Sequence, residues 1–166
     1  MGNHHIHPIL TGFTLQDGKT LGGEVLELIH DQMELFALIF WDGFSPQRRH
    51  QDLIDEWVPF VEQLVQENPE IHYYEIPTLP PKGIIYRTFL NEGMRAGIPD
   101  PATQVRTITL YLDKSAFRKA LDIDNEQNVW VYLFDKSGNV LWRTEGKFTK
   151  DKSEALLSAL NQISLL

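Results

Sequence analysis

Two short stretches of this chain, residues 35–41 (Leu-Phe-Ala-Leu-Ile-Phe-Trp) and 129–134 (Val-Trp-Val-Tyr-Leu-Phe), are apolar at consecutive rather than alternate positions. Runs this short and this rich in aromatic and branched side chains predict strands buried on both faces. Helix signals to cover such strands follow directly. Ser45 is a good N-cap and Pro46 fits the first helical position. Behind them Leu53, Ile54, Trp57, Phe60, Val61, Leu64 and Val65 keep the helical period, and Pro59 within it predicts a kink.

The remaining elements read in order. Residues 1–8 form a flexible polar leader, and 9–166 form one domain; a chain of 166 residues buries a real core without disulfides or metals. Asp17-Gly18 between short apolar segments predicts an N-terminal hairpin, and Val25, Leu26, Leu28 and Ile29 a short helix. Residues 71–76 predict a second strand, after which Pro77, Pro80 and Pro81 lead into a helix over 84–96 with Ile85, Tyr86, Phe89, Leu90 and Met94 inward. A breaker at 97–101 precedes an alternating, half-buried strand at 107–112 and a short helix capped by Asp113. The strand at 129–134 turns through 135–138 into an antiparallel partner at 139–145, and Thr149 caps a last helix with Leu156, Leu157, Leu160 and Ile163 on its apolar face.

The chain contains no cysteine. Thiol redox chemistry, thiolate catalysis and thiolate metal sites are therefore excluded. A formal net charge of −8 speaks against nucleic acid or an anionic membrane surface as a general partner. The longest apolar run, seven residues, falls far short of the roughly 20 that span a bilayer. With neither a secretory signal nor an Arg- and Ser-rich transit segment in the N-terminal residues, the expected location is cytoplasmic.

The element order, a β-α-β half followed by a β-β-α half, resembles the thioredoxin fold: an α/β architecture with a central mixed sheet flanked by helices on both faces, here with an N-terminal hairpin and an extra strand-helix insertion. The likeness is most specific at Phe40-Trp41-Asp42-Gly43-Phe44-Ser45-Pro46-Gln47-Arg48, which is similar to the strand-end segment Phe-Trp-x-x-x-Cys-x-x-Cys of thioredoxin-like oxidoreductases. Ser45 and Arg48 stand where the two cysteines would be. Phe13 to Thr20 resembles the entry hairpin of the peroxiredoxin and thiol-reductase branch, and Tyr132 to Val140 its closing hairpin. The family's cis-proline would fall near Asn128 or Val129, and neither is proline.

A narrower likeness, to the ATP-synthase assembly-factor-ten family, lies in Trp57-Val58-Pro59-Phe60, Met94-Arg95-Ala96-Gly97-Ile98-Pro99, Thr107 to Lys114, and Trp142-Arg143-x-x-Gly146. It implies a redox-inactive protein that binds a protein client, as an assembly factor or chaperone for a membrane-protein complex such as ATP synthase.

The candidate binding patch is Trp41, Asp42, Phe44, Ser45, Arg48 and Arg49, at the former active-site position. Ser45 has a second reading as a nucleophile, because Gly43-Phe44-Ser45-Pro46-Gln47 approaches the hydrolase elbow Gly-x-Ser-x-Gly. Against that cysteine-independent, hydrolase-like enzyme, Pro46 removes a backbone N–H the oxyanion hole would need, and no histidine follows His72. A helix cap fits better, so no catalytic residue is assigned. Arg48, Arg49 and His50 either dock an anion at the helix start or pair with Asp52, Asp55 and Glu56 on a solvated face. His4, His5 and His7 belong to the leader, although Gly2-Asn3-His4 behind a removed Met1 would suit copper(II) or nickel(II). His30 and His72 read as structural, Trp57, Trp130 and Trp142 as packing, and Asp122 and Asp124 as turn charges. No metal site or cofactor motif is recognisable.

Overall fold

In the computed structural model both doubly apolar runs are interior strands of one five-stranded sheet. The structure describes residues 35–42, 48–80, 83–97, 100–107, 109–111, 113–135 and 140–164. The hairpin and helix expected before residue 34 lie outside the described residues. In chain order the elements are β1 (Leu35–Asp42), α1 (Arg48–Glu67), β2 (Ile71–Leu79), α2 (Ile84–Gly97), α3 (Pro101–Arg106), β3 (Leu110–Tyr111), α4 (Lys114–Leu121), β4 (Trp130–Asp135), β5 (Val140–Glu145) and α5 (Lys150–Ser164).

The sheet order is β3-β2-β1-β4-β5. β1 pairs in parallel with β2 and antiparallel with β4, so Leu35 to Phe40 lie between two neighbouring strands while Trp41 and Asp42 pair with β2 alone. One face of the sheet carries α1 and α5. Ile54, Trp57 and Val61 pack on Tyr73, Val129 and Val131, while Leu64, Leu156 and Leu160 pack on Ile71 and Leu133. Alternation along β4 sends Tyr132 and Phe134 to the opposite face, where their rings stack 5.5 Å apart and the Tyr132 hydroxyl donates to the Leu121 carbonyl at 2.6 Å. That bond seats α4 on the second face, and helices thus cover both sides.

The helix starts are set by the expected chemistry. Asp113 Oδ1 accepts from the Ser115 N–H at 3.0 Å, and Thr149 Oγ1 from the Lys152 N–H at 3.2 Å. The chain also caps a helix that the breaker segment concealed. Asp100 accepts from the N–H and hydroxyl of Thr103 at 3.1 and 2.7 Å, with Pro101 as the first residue of α3.

Several sequence expectations need correction. β2 runs past 76 to Leu79 and includes Pro77, which is tolerated because β3 pairs only Thr78 and Leu79 and leaves β2 an edge at Pro77. The half-buried strand at 107–112 shrinks to Leu110–Tyr111, with Thr107 making an isolated bridge to Glu75. α1, as expected, has Pro59 within its 20 residues. α2 does not turn its aromatic stripe inward: Ile85 is 85 % and Phe89 74 % exposed, and Tyr86 is exposed as well. Leu157 is likewise exposed. No helix among the described residues is long and apolar enough to cross a membrane.

Trp57 closes the core. Its ring meets Phe148 edge-on at 5.2 Å and Trp142 at 6.5 Å. Its indole N–H donates to the Gly146 carbonyl at 2.9 Å. Gly146 sits at φ 78°, where glycine alone is unstrained, and its own N–H donates to the Val129 carbonyl at 2.9 Å. One aromatic thus ties α1 to the turn after β5 and to the entry of β4. Replacing Trp57 with Phe leaves the Gly146 carbonyl without its indole donor and opens a void. The expected loss in urea unfolding is about 1–3 kcal/mol, and an unchanged midpoint would show that the bond contributes nothing.

Candidate functional site

β1 is the strand at which the chain changes direction across the sheet. From it the chain steps outward to β2 and β3, then crosses back to β4 and β5 on the other side. Open α/β sheets place ligand sites in the crevice outside the carboxyl end of such a switch strand. In this chain that end is Trp41-Asp42.

The register defines the surroundings. Trp41 lies opposite Pro77 and Asp42 opposite Thr78, while Thr78 lies opposite Leu110 and Leu79 opposite Tyr111. The parallel strands β1, β2 and β3 therefore finish along one edge. Pairing of Phe40 with Trp130 brings the start of β4 to the same edge, with Val129 and Asn128 just before it. α1 begins there too, at Arg48 and Arg49. Of the expected patch, Trp41 and Asp42 are the last residues of β1 and Arg48 and Arg49 the first of α1. Phe44 and Ser45 lie outside the described residues.

The first turn of α1 contains no acidic side chain, so the partial positive charge of its N–H groups is reinforced rather than cancelled by Arg48 and Arg49. Asp55 accepts from Gln51 Nε2 at 2.8 Å, and His50 is not on the solvated face. At 5 % exposure it tops the buried stripe His50, Ile54, Trp57, Val61 and Leu64. Neither ring nitrogen meets a hydrogen-bond partner among the described residues. The periodic template that marked Ile54 and Trp57, extended one turn toward the N-terminus, reaches His50.

A second polar residue inside the fold escaped notice because it sits in an apolar strand. Glu75 of β2 is 6 % exposed. Burial pushes its carboxyl up to about 7; Asp55 and Glu62 push the same way and Arg106 opposes them. The tryptophans expected to be packing residues are so placed: Trp57 and Trp130 are buried, and Trp142 packs against the core. Asp122 holds φ 53° in the turn after α4. Among the described residues no group of three or more His, Asp or Glu side chains is arranged to hold a metal ion.

No family model matches the chain, and no curated protein matches its sequence. Solved structures do resemble it in fold. The N-terminal domain of PilB from Neisseria gonorrhoeae matches with a TM-score of 0.57 at 13 % identity, over 93 % of this chain and 91 % of that one. The exposed lipoprotein thioredoxin of Streptococcus pneumoniae matches at 0.55 and 13 % identity, over 87 % and 96 %. A thiol-disulfide oxidoreductase from Bacteroides fragilis matches at 0.54 and 15 % identity, over 85 % and 93 %.

The fold is thioredoxin-like. Sequence identities this low speak for the scaffold and not for a shared activity. The chain has no thiol with which to perform disulfide exchange, so within this thioredoxin-like fold the junction of β1 and α1 retains its place without the sulfur chemistry.

A buried imidazole with both nitrogens unpaired destabilises the free fold, since each lost hydration partner goes unreplaced. Replacing His50 with Leu, which suits the stripe around it, is expected to raise the urea midpoint by an equivalent of about 1 kcal/mol. A fall of that size would instead show that the imidazole holds a polar partner in the folded chain.

Proposed function

We propose that this chain is a redox-inactive thioredoxin-like protein that works by binding a protein client at the carboxyl end of β1. The observation that carries the reading is the absence of cysteine from a scaffold whose strand-end and helix-start junction is otherwise in place. Removing the thiols removes electron transfer, and what the sequence offers at that position instead is the aromatic Trp41 and Phe44, the hydroxyl of Ser45, the carboxylate of Asp42 and the guanidinium groups of Arg48 and Arg49. Aromatic and arginine side chains are the types that dominate binding energy at protein interfaces. The sequence likeness to the ATP-synthase assembly-factor-ten family supports a client that is a subunit of a membrane-protein complex, bound during its assembly.

The purified protein is expected to reduce neither insulin disulfides nor hydroperoxides. With a photo-cross-linking residue at position 41, it captures a discrete client from cells, and Arg48→Glu in the same chain reduces that capture at least several-fold. Disulfide or peroxide turnover by the pure protein contradicts the reading. Ester or phosphate hydrolysis that disappears in Ser45→Ala would replace it with the hydrolase reading.

A further inference from the structure

α1 opens on a buried side chain that the fold leaves without a polar partner. His50 is the third residue of the helix and only 5 % exposed. Among the described residues neither Nδ1 nor Nε2 has a hydrogen-bond partner. An imidazole carries at least one N–H donor whatever its tautomer or charge. That donor is buried above a stripe, Ile54, Trp57 and Val61, whose neighbours on the sheet are apolar side chains.

The ring also belongs to the open end of its helix. Cα–Cβ bonds in an α-helix tilt toward the N-terminus, so a side chain in the first turn extends over the start of the helix and not along its body. There the first four backbone N–H groups have no acceptor within the helix, and they carry its partial positive charge. α1 is 20 residues long and has no acidic side chain in its first turn. Its first carboxylates, Asp52 and Asp55, stand on the exposed side, and Asp55 accepts from Gln51. Two independent features at one place therefore call for a negatively charged acceptor that the first turn does not supply: a buried ring donor and the N–H groups of a long helix.

We propose that the start of α1 is a carboxylate-binding site, in which His50 donates a ring N–H to one oxygen of the bound group and helix N–H groups donate to the other. A carboxylate suits the place better than a phosphate. It brings one charge and two coplanar oxygens, whereas stripping the water from a dianion to reach a buried ring costs more. His50 is the outermost member of its stripe, so a ligand reaches the ring by displacing the first turn of α1 and leaves the core from Ile54 onward in place. The inference rests on the client reading above and names the contact: a carboxylate of the client, from an acidic side chain or a chain end, seats at His50.

The nitrogen-15 resonances of the His50 ring in the intact chain, followed through a titration with sodium acetate at constant ionic strength and neutral pH, are the test. A saturable shift is expected, half complete on the order of 10 mM, the scale of one charge-assisted hydrogen bond. Acetamide, neutral and of similar shape, leaves the resonances in place. About 0.1 M acetate, compared with chloride, also raises the urea midpoint of the wild type by the equivalent of a roughly tenfold gain in the folding equilibrium, and His50→Leu shows no such gain. N-acetylglycine presents a chain-end carboxylate and N-acetylglutamate α-amide a side-chain one; the one that saturates the shift at lower concentration identifies the source. The absence of a saturable shift, an equal response to acetamide, or the same acetate gain in His50→Leu overturns the proposal, as does tighter binding of inorganic phosphate than of acetate. If acetate binds and no client is captured from cells, the site stands and the client reading falls; capture of a client with no response to acetate does the reverse.

Discussion

The ladder on both sides of β1 is the constraint from which the rest of this structure follows. Because β1 pairs with β2 on one side and with β4 on the other, it is interior to the sheet, and its consecutive apolar residues call for cover on both faces. Because the two pairings have opposite sense, the chain must leave β1 toward one edge and return to the other. That reversal makes the carboxyl end of β1 the place where strand ends and a helix start meet. The position of the candidate site is thus a consequence of pairing and burial, independent of what any side chain there does.

On this frame, chemistry is subtracted rather than replaced. A helix start with two arginines and no acid in its first turn, following a strand that ends in Trp41-Asp42, is where a client is proposed to bind. It cannot pass electrons without sulfur. The two buried polar groups nearby are costly in different ways. His50 occupies a core position that an aliphatic side chain would fill more favourably. Glu75 occupies a position where burial favours the neutral carboxyl. Natural chains carry such violations of core patterning where something other than stability sets the residue.

Much of the fold was legible from the sequence, for identifiable reasons. The consecutive apolar runs marked β1 and β4 because only a strand covered on both faces tolerates them. Asp113 and Thr149 marked helix starts through local capping, which depends on nothing distant. The misreadings occurred where tertiary context decides. The apolar face of α2 has a clear period, but period cannot say whether another element will cover it, and Ile85 and Phe89 remain exposed. Asp100-Pro101 carries the same cap signal as Ser45-Pro46, yet was masked by the glycine and prolines around it. The candidate patch was legible as a stretch of sequence, and the register adds what the stretch could not: that Thr78 and the entry to β4 share its edge. His50 was misplaced because three basic residues in a row suggest a solvated face, whereas the stripe beneath it runs one turn further.

The central claim is that the chain retains the thioredoxin-like strand-end and helix-start junction without its sulfur. In the resemblance, Ser45 and Arg48 stand where the two cysteines would be, and residues three apart have Cα atoms roughly 5 Å apart when helical, within the span a disulfide bridges. Introducing Ser45→Cys and Arg48→Cys together, then oxidising, should therefore close an intramolecular disulfide, seen as the loss of both free thiols in a monomer of unchanged fold. The reduced pair should confer measurable insulin-disulfide reduction where the parent chain has none. Two thiols that stay free under oxidant in a folded monomer would contradict the account.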